Sequence, residues 1–543
     1  MISFPFLRCK FFITARFLPI GLSVALCASH DFMLASYSSL EQSNRSQTSS
    51  ILESDAILNQ LRAYRLKLEN NSRHLSLEDC IRLGLNSSPS LASAYAAIQE
   101  QEYKLKAQYR KNFPSFNLQS SPPFLGKVYT TTTSSSQVLD PQYTYNPMTD
   151  SYSVTSVTER VSNDNSEDYS QFSPYLTMTW SFFQPSLWAT ISSSKASLQR
   201  EKLVFDVSMR GLILDIQEAY YRLQASQALI NDFEAIFDIN KEQIDYVEAR
   251  MNAGLLNIGD VAQAKSQFYS QASELVGFYR QYFNDLYTLA YALNLDPESF
   301  ILTVDDLARI PPWPLSQQAS ISQALDLREE IQTFIASSQS ATWDARSSLR
   351  KYLPVLSIQA VSYGYSQWDG VSKTKDERGL DFNSVYVNNS IGLGINWTFF
   401  DSGVSSAEAE AYKSDSRQQL FNAQNERYKV VAQVKKAFNS YKISIDEIFL
   451  ATQGSTSSKI FLDATRERFQ VGLSDMTTFV QAMLALGNSL KAQTDSILKH
   501  NIAIAELYRY SAEWPSGIPS ISDVQTSVEQ LDPMERITVD VVD

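Results

Sequence analysis

One feature constrains this chain more than any other: a set of short landmarks occurs twice, in the same order. The landmark pairs are RKNFP at 110–114 and RKYLP at 350–354, WSFF at 180–183 and WTFF at 397–400, and RMNAGL at 250–255 and RFQVGL at 468–473. The copies are offset by 240 residues at the first pair and by 217 at the second, so the first copy carries 23 additional residues between these landmarks. Three matches in one order predict an internal duplication.

The segment after WSFF has the pattern of a very long helix. Residues 186–252 contain no proline and a single glycine, Gly211. Apolar residues recur there every seven positions, and five of the six corresponding positions in the second copy are also apolar. The residues in the first copy are Ile216, Leu223, Ile230, Phe237, Ile244 and Met251. Those in the second copy are Val434, Tyr441, Ile448, Ser455, Leu462 and Phe469. An ordinary helical core is the alternative. Because such a helix extends about 100 Å at 1.5 Å per residue, the heptads favour a coiled-coil rod.

The residues before each long helix alternate with a period of two, which predicts strands. Segments 176–182 and 391–399 place apolar side chains on one face, and shorter alternating segments follow the prolines of RKNFP and RKYLP, so each copy has two strands. This pattern fits either a soluble sheet over a core or a barrel wall with lipid outside and water inside. The hydroxyl-rich segments between the strands, 121–170 and 364–388, are expected to be exposed, mobile loops.

Composition excludes several functional classes. The chain has 46 Lys and Arg against 59 Asp and Glu, a formal net charge of −13, which disfavours nucleic acid as a partner. Its three histidines and three cysteines lie far apart and form no metal-binding or nucleophile motif. We therefore expect no catalytic residue, no metal and no cofactor, and an enzyme is the weakest of the function classes.

The N-terminus has the pattern of a secretory signal peptide, residues 1–28. Basic residues precede the apolar run 17–28, which is too short to span a bilayer unaided. Cleavage after this run would leave Cys80 as a single cysteine, unable to form an internal disulfide. Acylation of Cys27 as a lipoprotein cysteine stays open as an alternative, although Leu26 precedes it where such sites usually have a small residue.

The doubled order of helix, RKNFP joint, strand pair, WSFF, long helix, RMNAGL turn and return helix resembles the TolC family of outer-membrane efflux proteins. The resemblance covers about residues 75–513, and its most specific parts are LSLEDCIRLGLNSSPSL at 75–91, the joints at Pro114 and Pro354, the strand ends WSFFQPS and WTFFDSG, and the two Arg-x-x-x-Gly-Leu turns. It implies an α+β membrane protein in which long antiparallel coiled-coil helices form an α-barrel. It also implies a homotrimer in which each chain gives four strands to one twelve-stranded β-barrel in outer-membrane lipid. Four strands alone cannot close a barrel, so such a chain has to oligomerise.

The two glycine-leucine turns are the candidate partner-binding site. Glycine tolerates the left-handed conformation that ends a helix, so these turns are at least helix stops. The resemblance implies a periplasmic tip at which Gly254, Leu255, Gly472 and Leu473 bind a membrane-fusion (adaptor) protein. The adaptor in turn joins the channel to an inner-membrane transporter.

The resemblance also implies a candidate aperture near this tip, where carboxylates close the tunnel with an Arg and a Tyr of the second copy. Asp260 occupies the first-copy carboxylate position, and Asp475 lies near the second one but out of register. The second copy departs from the family at four positions, with Thr478 and Gln481 for Asp, Ser474 for Arg and Phe469 for Tyr. These departures argue against the family's salt-bridge lock and against a cation-binding aspartate ring. Asp260 fits an acid at a helix start as well as a gate.

These patterns divide the chain into six segments. They are the signal peptide at 1–28, a polar N-terminal segment at 29–74, repeat 1 at 75–293, a proline-rich equatorial linker at 294–320, repeat 2 at 321–513 and an acidic tail at 514–543. The return helices are predicted at 258–293 and 474–512.

The sequence predicts a passive exit duct in the outer membrane of a Gram-negative-type bacterium, extending into the periplasm and serving a tripartite efflux or type I secretion system. The alternative is a secreted or envelope-associated trimeric coiled-coil protein with a structural or adhesive role. Both functions need the heptads, whereas only the duct needs amphipathic strands. The patterns do not specify whether the cargo is a small molecule or a protein.

Overall fold

The computed structural model describes residues 55–70, 72–295, 300–374, 380–515 and Val524. The predicted signal peptide and most of the acidic tail lie outside the described residues. The chain divides into two units between Lys67 and Leu68. The described part of the first unit is helical over 55–67, and the second unit contains every element named below.

The first half of the chain begins with two short helices and continues into a hairpin and two long helices. Its elements are β1 (Arg73–Leu75), α1 (Leu77–Ser87), α2 (Pro89–Arg110), β2 (Ser115–Asn146), β3 (Ser151–Phe183), α3 (Pro185–Asn252) and α4 (Ile258–Ala292). The hydroxyl of Ser88 accepts a hydrogen bond from the backbone amide of Leu91 and so caps α2. Proline at the first position of α2 and of α3 fits a helix start, where the missing N–H has no partner to lose.

The second half repeats the order helix, helix, strand, strand, long helix, return helix. Its elements are β4 (Ile301–Thr303), α5 (Gln317–Leu327), α6 (Glu329–Leu349), a 3₁₀ turn (Arg350–Tyr352), β5 (Val355–Thr374), β6 (Leu380–Asn396), α7 (Val404–Gln470) and α8 (Met476–Tyr510). Helices α3 and α7 contain 68 and 67 residues, so each extends about 100 Å. The helix predicted over 186–252 is confirmed to within one residue, and α7 stays helical through Gly454.

The four long strands form one antiparallel sheet in the order β2-β3-β5-β6. The two hairpins, β2–β3 and β5–β6, are joined side by side through β3 and β5. In the described part of the chain, β2 and β6 therefore each have one neighbour and one open edge. A separate short parallel pair, β1 and β4, ties the start of the first half to the segment between the halves.

The helices pack as an antiparallel layer. Helix α3 packs against α2, α4, α6 and α8, and α7 packs against α6 and α8. The predicted heptad residues lie inside this layer: Ile216, Leu223, Ile230, Phe237 and Ile244 in α3, and Val434, Tyr441, Ser455, Leu462 and Phe469 in α7, are buried. The prediction of a coiled-coil seam is confirmed at these positions.

The proline-rich segment between the halves packs on α7 and α8. Trp313 is buried in a cluster with Tyr441 and Leu507, and its indole N–H donates to the hydroxyl of Ser320 at 3.0 Å. The side chain of Asn501 holds the same segment, because its amide donates to the carbonyl of Ala308 (2.9 Å) and accepts from the backbone N–H of Ile310 (3.2 Å). Helix α5 already begins at Gln317, three residues before the predicted end of the linker.

Next to this contact, His500 is fully buried. Its Nε2 accepts from the Arg309 guanidinium (3.4 Å), so its Nδ1 carries the proton and donates to the hydroxyl of Ser444 (2.9 Å). Burial, and then the charge of Arg309, lower the pKa of His500. The imidazole is therefore held neutral between the linker and the two helices.

The structure corrects the prediction of loops at 121–170 and 364–388. Strands β2 and β3 stay paired up to Asn146 and Ser151, and β5 and β6 stay paired up to Ser372 and Leu380. Residues 129–158 are exposed, as predicted. A hydroxyl-rich segment has little to bury, but a hairpin satisfies its backbone N–H and C=O groups without burial, and Thr, Tyr and Val favour the extended conformation.

A second correction concerns the strand predicted over 391–399. Strand β6 ends at Asn396, which pairs with Val355, the first residue of β5, so no residue of β5 remains to pair beyond it. Trp397 instead donates its indole N–H to the carbonyl of Tyr352 at 2.9 Å. Trp180 makes the same kind of bond to Asn112 at 2.7 Å while staying within β3.

Candidate functional site

Both predicted glycine turns end a long helix in the left-handed conformation. Gly254 has a φ of +73° and Gly472 a φ of +80°. The N–H of Leu255 donates to the carbonyl five residues earlier at 2.9 Å, and the N–H of Leu473 makes the equivalent bond at 2.8 Å. These bonds satisfy helix-end carbonyls in the manner of a Schellman motif. Because the positive φ strains any L side chain, both turns require glycine.

The leucines that follow the glycines project from the turns. Leu255 is 64% exposed and Leu473 is 71% exposed. Ile258 and Val471, on the same two turns, are exposed to a similar degree. An apolar group of this kind at the end of a polar rod is typical of a protein-binding surface.

The two candidate aperture carboxylates cap the return helices. The carboxylate of Asp260 accepts a hydrogen bond from the backbone N–H of Asn257 (3.1 Å), and the backbone N–H of Asp260 donates to the side-chain oxygen of Asn257 (3.0 Å). These two bonds form a capping box at the start of α4. Asp475 is itself the N-cap of α8 and accepts from the N–H of Thr478 at 2.9 Å. Hydrogen bonding to Thr478 lowers the pKa of Asp475. Asp475 thus occupies the position of Asn257, and Thr478 that of Asp260, which explains why the second carboxylate is out of register.

A set of contacts missed by the sequence reasoning joins the two long helices near the turns. The guanidinium of Arg250 on α3 donates to the carbonyl of Phe469 on α7 (3.1 Å) and to the hydroxyl of Tyr246 (3.1 Å). The Tyr246 hydroxyl in turn donates to the carbonyl of Gln470 at 2.8 Å. We call these four residues the tip bracket.

The tip bracket places a cation and two donors on the C-terminal end of α7. This end of a helix carries free carbonyls and partial negative charge, so the contact is electrostatically favourable. Phe469 is buried against Tyr246, with ring centroids 6.0 Å apart. One turn further along the rod, Arg466 pairs with Glu242 at 2.8 Å, an exposed pair of modest strength. Arg250 begins the RMNAGL landmark, and this arginine was the one signal in the sequence for the bracket.

The sheet has one apolar and one polar face. On the apolar face, large side chains are exposed to solvent in the single chain; they are Phe116, Leu118, Leu176, Ile391, Leu393 and Ile395. The residues paired across the strands on the other face are mostly polar or glycine, as in the rows Asn117–Thr177 and Gln359–Gly392. An exposed apolar face opposite a polar face is the arrangement of a membrane barrel wall.

Comparison with known proteins identifies this architecture. A model of the outer membrane efflux protein family matches residues 80–295 and 320–513. The chain belongs to this family. Among curated relatives, it is 23% identical over 344 residues to the outer membrane protein TolC of Escherichia coli (strain K12), covering 62% of this chain and 68% of that protein. It is 22% identical to the TolC of Salmonella enteritidis, covering 59% of this chain and 65% of that protein.

Solved structures agree in fold. The outer membrane channel CmeC of Campylobacter jejuni superimposes with a TM-score of 0.62 at 14% identity, covering 85% of this chain and 90% of that one. The outer-membrane channel OprN gives a TM-score of 0.59 at 18% identity, covering 82% of this chain and 94% of that one. The open state of MtrE of Neisseria gonorrhoeae gives 0.57 at 14%, covering 80% and 88%.

Outer membrane efflux proteins are channels in the outer membrane of Gram-negative bacteria that extend into the periplasm. They are not enzymes, and the predictions of localisation and of a non-enzymatic function are confirmed. No described helix combines the length and apolar character needed to cross a bilayer. Among the described residues, no group of His, Cys, Asp and Glu side chains is placed to hold a metal ion.

Proposed function

We propose that three copies of this chain form an exit duct that conducts substrates passively across the periplasm and the outer membrane, as part of a tripartite efflux or type I secretion system. The observation that carries this proposal is the open four-stranded sheet with an exposed apolar face. Backbone groups at a sheet edge cannot stay unpaired in lipid. Three sheets joined edge to edge give twelve strands and leave no edge.

The strand edges are suited to such a closure. The open edges belong to β2 and β6, the first and last strands of the sheet, and each carries apolar residues on the same outer face. Antiparallel pairing of β2 of one chain with β6 of the next would continue this face around the barrel. Leu118 and Leu393, which are among the most exposed apolar residues of the sheet, would then face lipid.

The helix layer supports the same closure. At one margin, α4 exposes Tyr287 and Tyr291. At the other margin, α7 exposes Ile443, Phe449 and Leu450. The α4 group lies near the end of its helix remote from the glycine turns and the α7 group lies in the middle part of its helix. Packing α4 of one chain against α7 of the next would cover apolar surface at both margins.

The similarity of the two halves of the chain would add an approximate twofold repeat within each subunit to the threefold symmetry of the proposed trimer. We propose that the two halves arose by internal duplication, because the same order of six elements and three landmark pairs occurs in each. Each chain then contributes two equivalent turns at the tip, and the trimer presents six.

The six turns are the proposed docking surface for a periplasmic adaptor, which would join the duct to an inner-membrane transporter. Leu255 and Leu473 supply the apolar contacts, and Gly254 and Gly472 give the turns their shape. The aperture would lie beside them. The tip bracket holds α7 against α3 there, while Asp260 and Asp475 fix the starts of the return helices.

The proposal is tested with purified protein in planar bilayers and with membrane fractions. We expect heat-resistant trimers in the outer membrane and discrete single-channel currents. Leu393→Arg places a charge on the proposed lipid face three residues before the end of β6, and should reduce trimer insertion. Such a charge costs about 2–4 kcal/mol at mid-bilayer and less toward the interface. Ser390→Arg is the matched control, because Ser390 lies on the polar face and the change should leave insertion intact. A soluble trimer that does not conduct would contradict the duct and favour the structural or adhesive alternative.

A further inference from the structure

Strand register assigns each residue of the sheet to one face. Leu176, Ile391 and Leu393 define the apolar face, so side chains one position along the strands point to the opposite, polar face. Tyr175 and Tyr363 are directly paired on that polar face, as are Tyr365 and Tyr386. In a closed barrel this face would line the lumen.

These four tyrosines form a continuous row across three strands. The ring centroids are 6.0 Å apart between Tyr175 and Tyr363 and 5.8 Å apart between Tyr363 and Tyr386. The rings of Tyr386 and Tyr365 are stacked, 5.3 Å apart with 19° between their planes. Because the row runs from β3 through β5 to β6, it follows the circumference of the sheet and not the strand direction. We call it the tyrosine collar.

The collar lies where lipid would surround the sheet. On the apolar face at the same height, Leu176 neighbours Tyr175 in β3, and Val387 neighbours Tyr386 in β6; both are exposed. About eight residues of β3 and of β5 separate the collar from the strand ends nearest the helices. The collar would therefore lie well inside the barrel, on the path of every substrate.

The polar face around the collar is uncharged. Between the strand ends nearest the helices and the collar, the described residues of this face are serine, threonine, asparagine, glutamine, glycine and valine. Asn388 donates to the hydroxyl of Tyr386 at 3.2 Å, and Ser384 donates to Gln367 at 2.8 Å. Glu167, further out along β3, is the first charged residue of this face. Charge therefore does not select the ligand at the collar. Its distinguishing feature is the set of tyrosine rings, of which Tyr363 and Tyr386 are exposed and Tyr175 and Tyr365 half-buried.

We infer that the tyrosine collar, repeated in three chains, binds planar aromatic groups of the cargo by stacking on the lumen wall. The inference rests on the proposed trimeric barrel. Tyrosine rings present flat apolar faces with a polar rim, and flat aromatic groups stack on such faces with little regard to their other substituents. A circumferential row offers rings at one height only, which suits a compact planar group. An extended saccharide would need a row along the channel axis.

The test is the dwell time of a probe in single-channel recordings. The probe is a neutral polyethylene glycol carrying one acridone end group, added on the barrel side, and the same polymer without acridone is its control. We expect the aromatic polymer to dwell about tenfold longer in the wild-type channel, in line with the strength of stacking on protein aromatics. The triple variant Tyr363→Leu, Tyr365→Leu and Tyr386→Leu keeps bulk but removes three of the four rings in each chain, and leaves Tyr175 without a neighbouring ring. It should reduce this dwell time nearly to that of the bare polymer.

Two further variants separate stacking from other effects. Replacing the same three residues by Phe keeps the rings and should preserve the long dwell time. Tyr143→Leu, Tyr145→Leu and Tyr152→Leu make the same number of changes at the far end of the β2–β3 hairpin, outside the collar, and should also preserve it.

The outcomes distinguish the collar from the duct. A wild-type protein that does not conduct overturns the duct and the collar with it. A conducting channel in which the Leu variant still retains the acridone polymer overturns the collar alone. Preferential retention of maltoheptaose by the wild-type collar would overturn the assignment to planar aromatic groups.

Discussion

Replacing Arg250 by methionine removes the charged member of the tip bracket while keeping an unbranched side chain of similar length. In the wild-type chain this guanidinium reaches the Phe469 carbonyl and the Tyr246 hydroxyl, both at 3.1 Å. The hydrogen bond from Tyr246 to Gln470 remains in the variant. We expect the tip of α7 to separate from α3 more readily, so that the closed aperture is destabilised.

The size of this effect follows from the hydrogen bonds that the substitution removes. A hydrogen bond to a charged group contributes about 1.5–3 kcal/mol, and the half-buried position of Arg250 places it near the lower end. Three equivalent brackets in a trimer would then contribute about 4.5 kcal/mol to the closed state. Since each 1.4 kcal/mol changes an equilibrium tenfold, the open population should rise by up to about 10³-fold. Tyr246→Phe removes neutral bonds and should produce a smaller increase.

The assay is the single-channel conductance and open probability of purified trimers in planar bilayers. Arg468→Met is the matched control, because Arg468 holds the same position in the second landmark, RFQVGL, and its side chain is exposed. We expect Arg468→Met to leave the conductance at the wild-type level. An Arg250→Met channel that assembles normally and conducts no better than wild type would refute the bracket as an element of closure.

Three further predictions concern the tip, the linker and the hairpin. Leu255→Asp with Leu473→Asp should abolish crosslinking to the adaptor and export while trimer yield stays normal, since burying each leucine contributes about 1.5–3 kcal/mol to docking; undiminished crosslinking would place the docking site elsewhere. Because the pKa of His500 is lowered in the folded chain, its contribution to stability is present above pH ~6.5 and is lost as the pH falls below that value. Thermal unfolding followed by circular dichroism should thus show acid destabilisation that is reduced in His500→Gln, and equal pH profiles would contradict this role. A membrane-impermeant maleimide should label Met148→Cys on intact cells, because Met148 is 96% exposed at the β2–β3 turn; protection there, with labelling of Leu255→Cys at the tip, would invert the topology.

The long helices and their turns could be predicted closely from the sequence. A helix of this length repeats its heptad many times, so the seam and the absence of proline fix α3 to within one residue. The glycine turns could be predicted equally well, because few amino acids other than glycine adopt the positive φ found at Gly254 and Gly472.

The features that were missed depend on pairing between distant segments. The tip bracket joins residues more than 200 positions apart, and periodicity within one helix carries no signal for such a contact. The length of the β2–β3 hairpin was missed because the run from Thr130 to Ser136 has little to bury, although its backbone pairs fully. The early end of β6 at Asn396 reflects where β5 begins and not the alternation of its own residues.

The central claim, closure of three sheets into one barrel, is tested most directly by disulfide trapping across the open edges. Ser115→Cys on β2 would be combined in turn with a cysteine at position 392, 394 or 396 of β6, all on the same face. Within one chain two strands separate these edges, about 14 Å at 4.8 Å per strand, which is too far for a disulfide. Non-reducing gels of oxidised membranes should show covalent dimers and trimers in at least one pair, with no larger species. Only monomers in every pair, or a ladder continuing beyond three chains, would contradict the closed trimer.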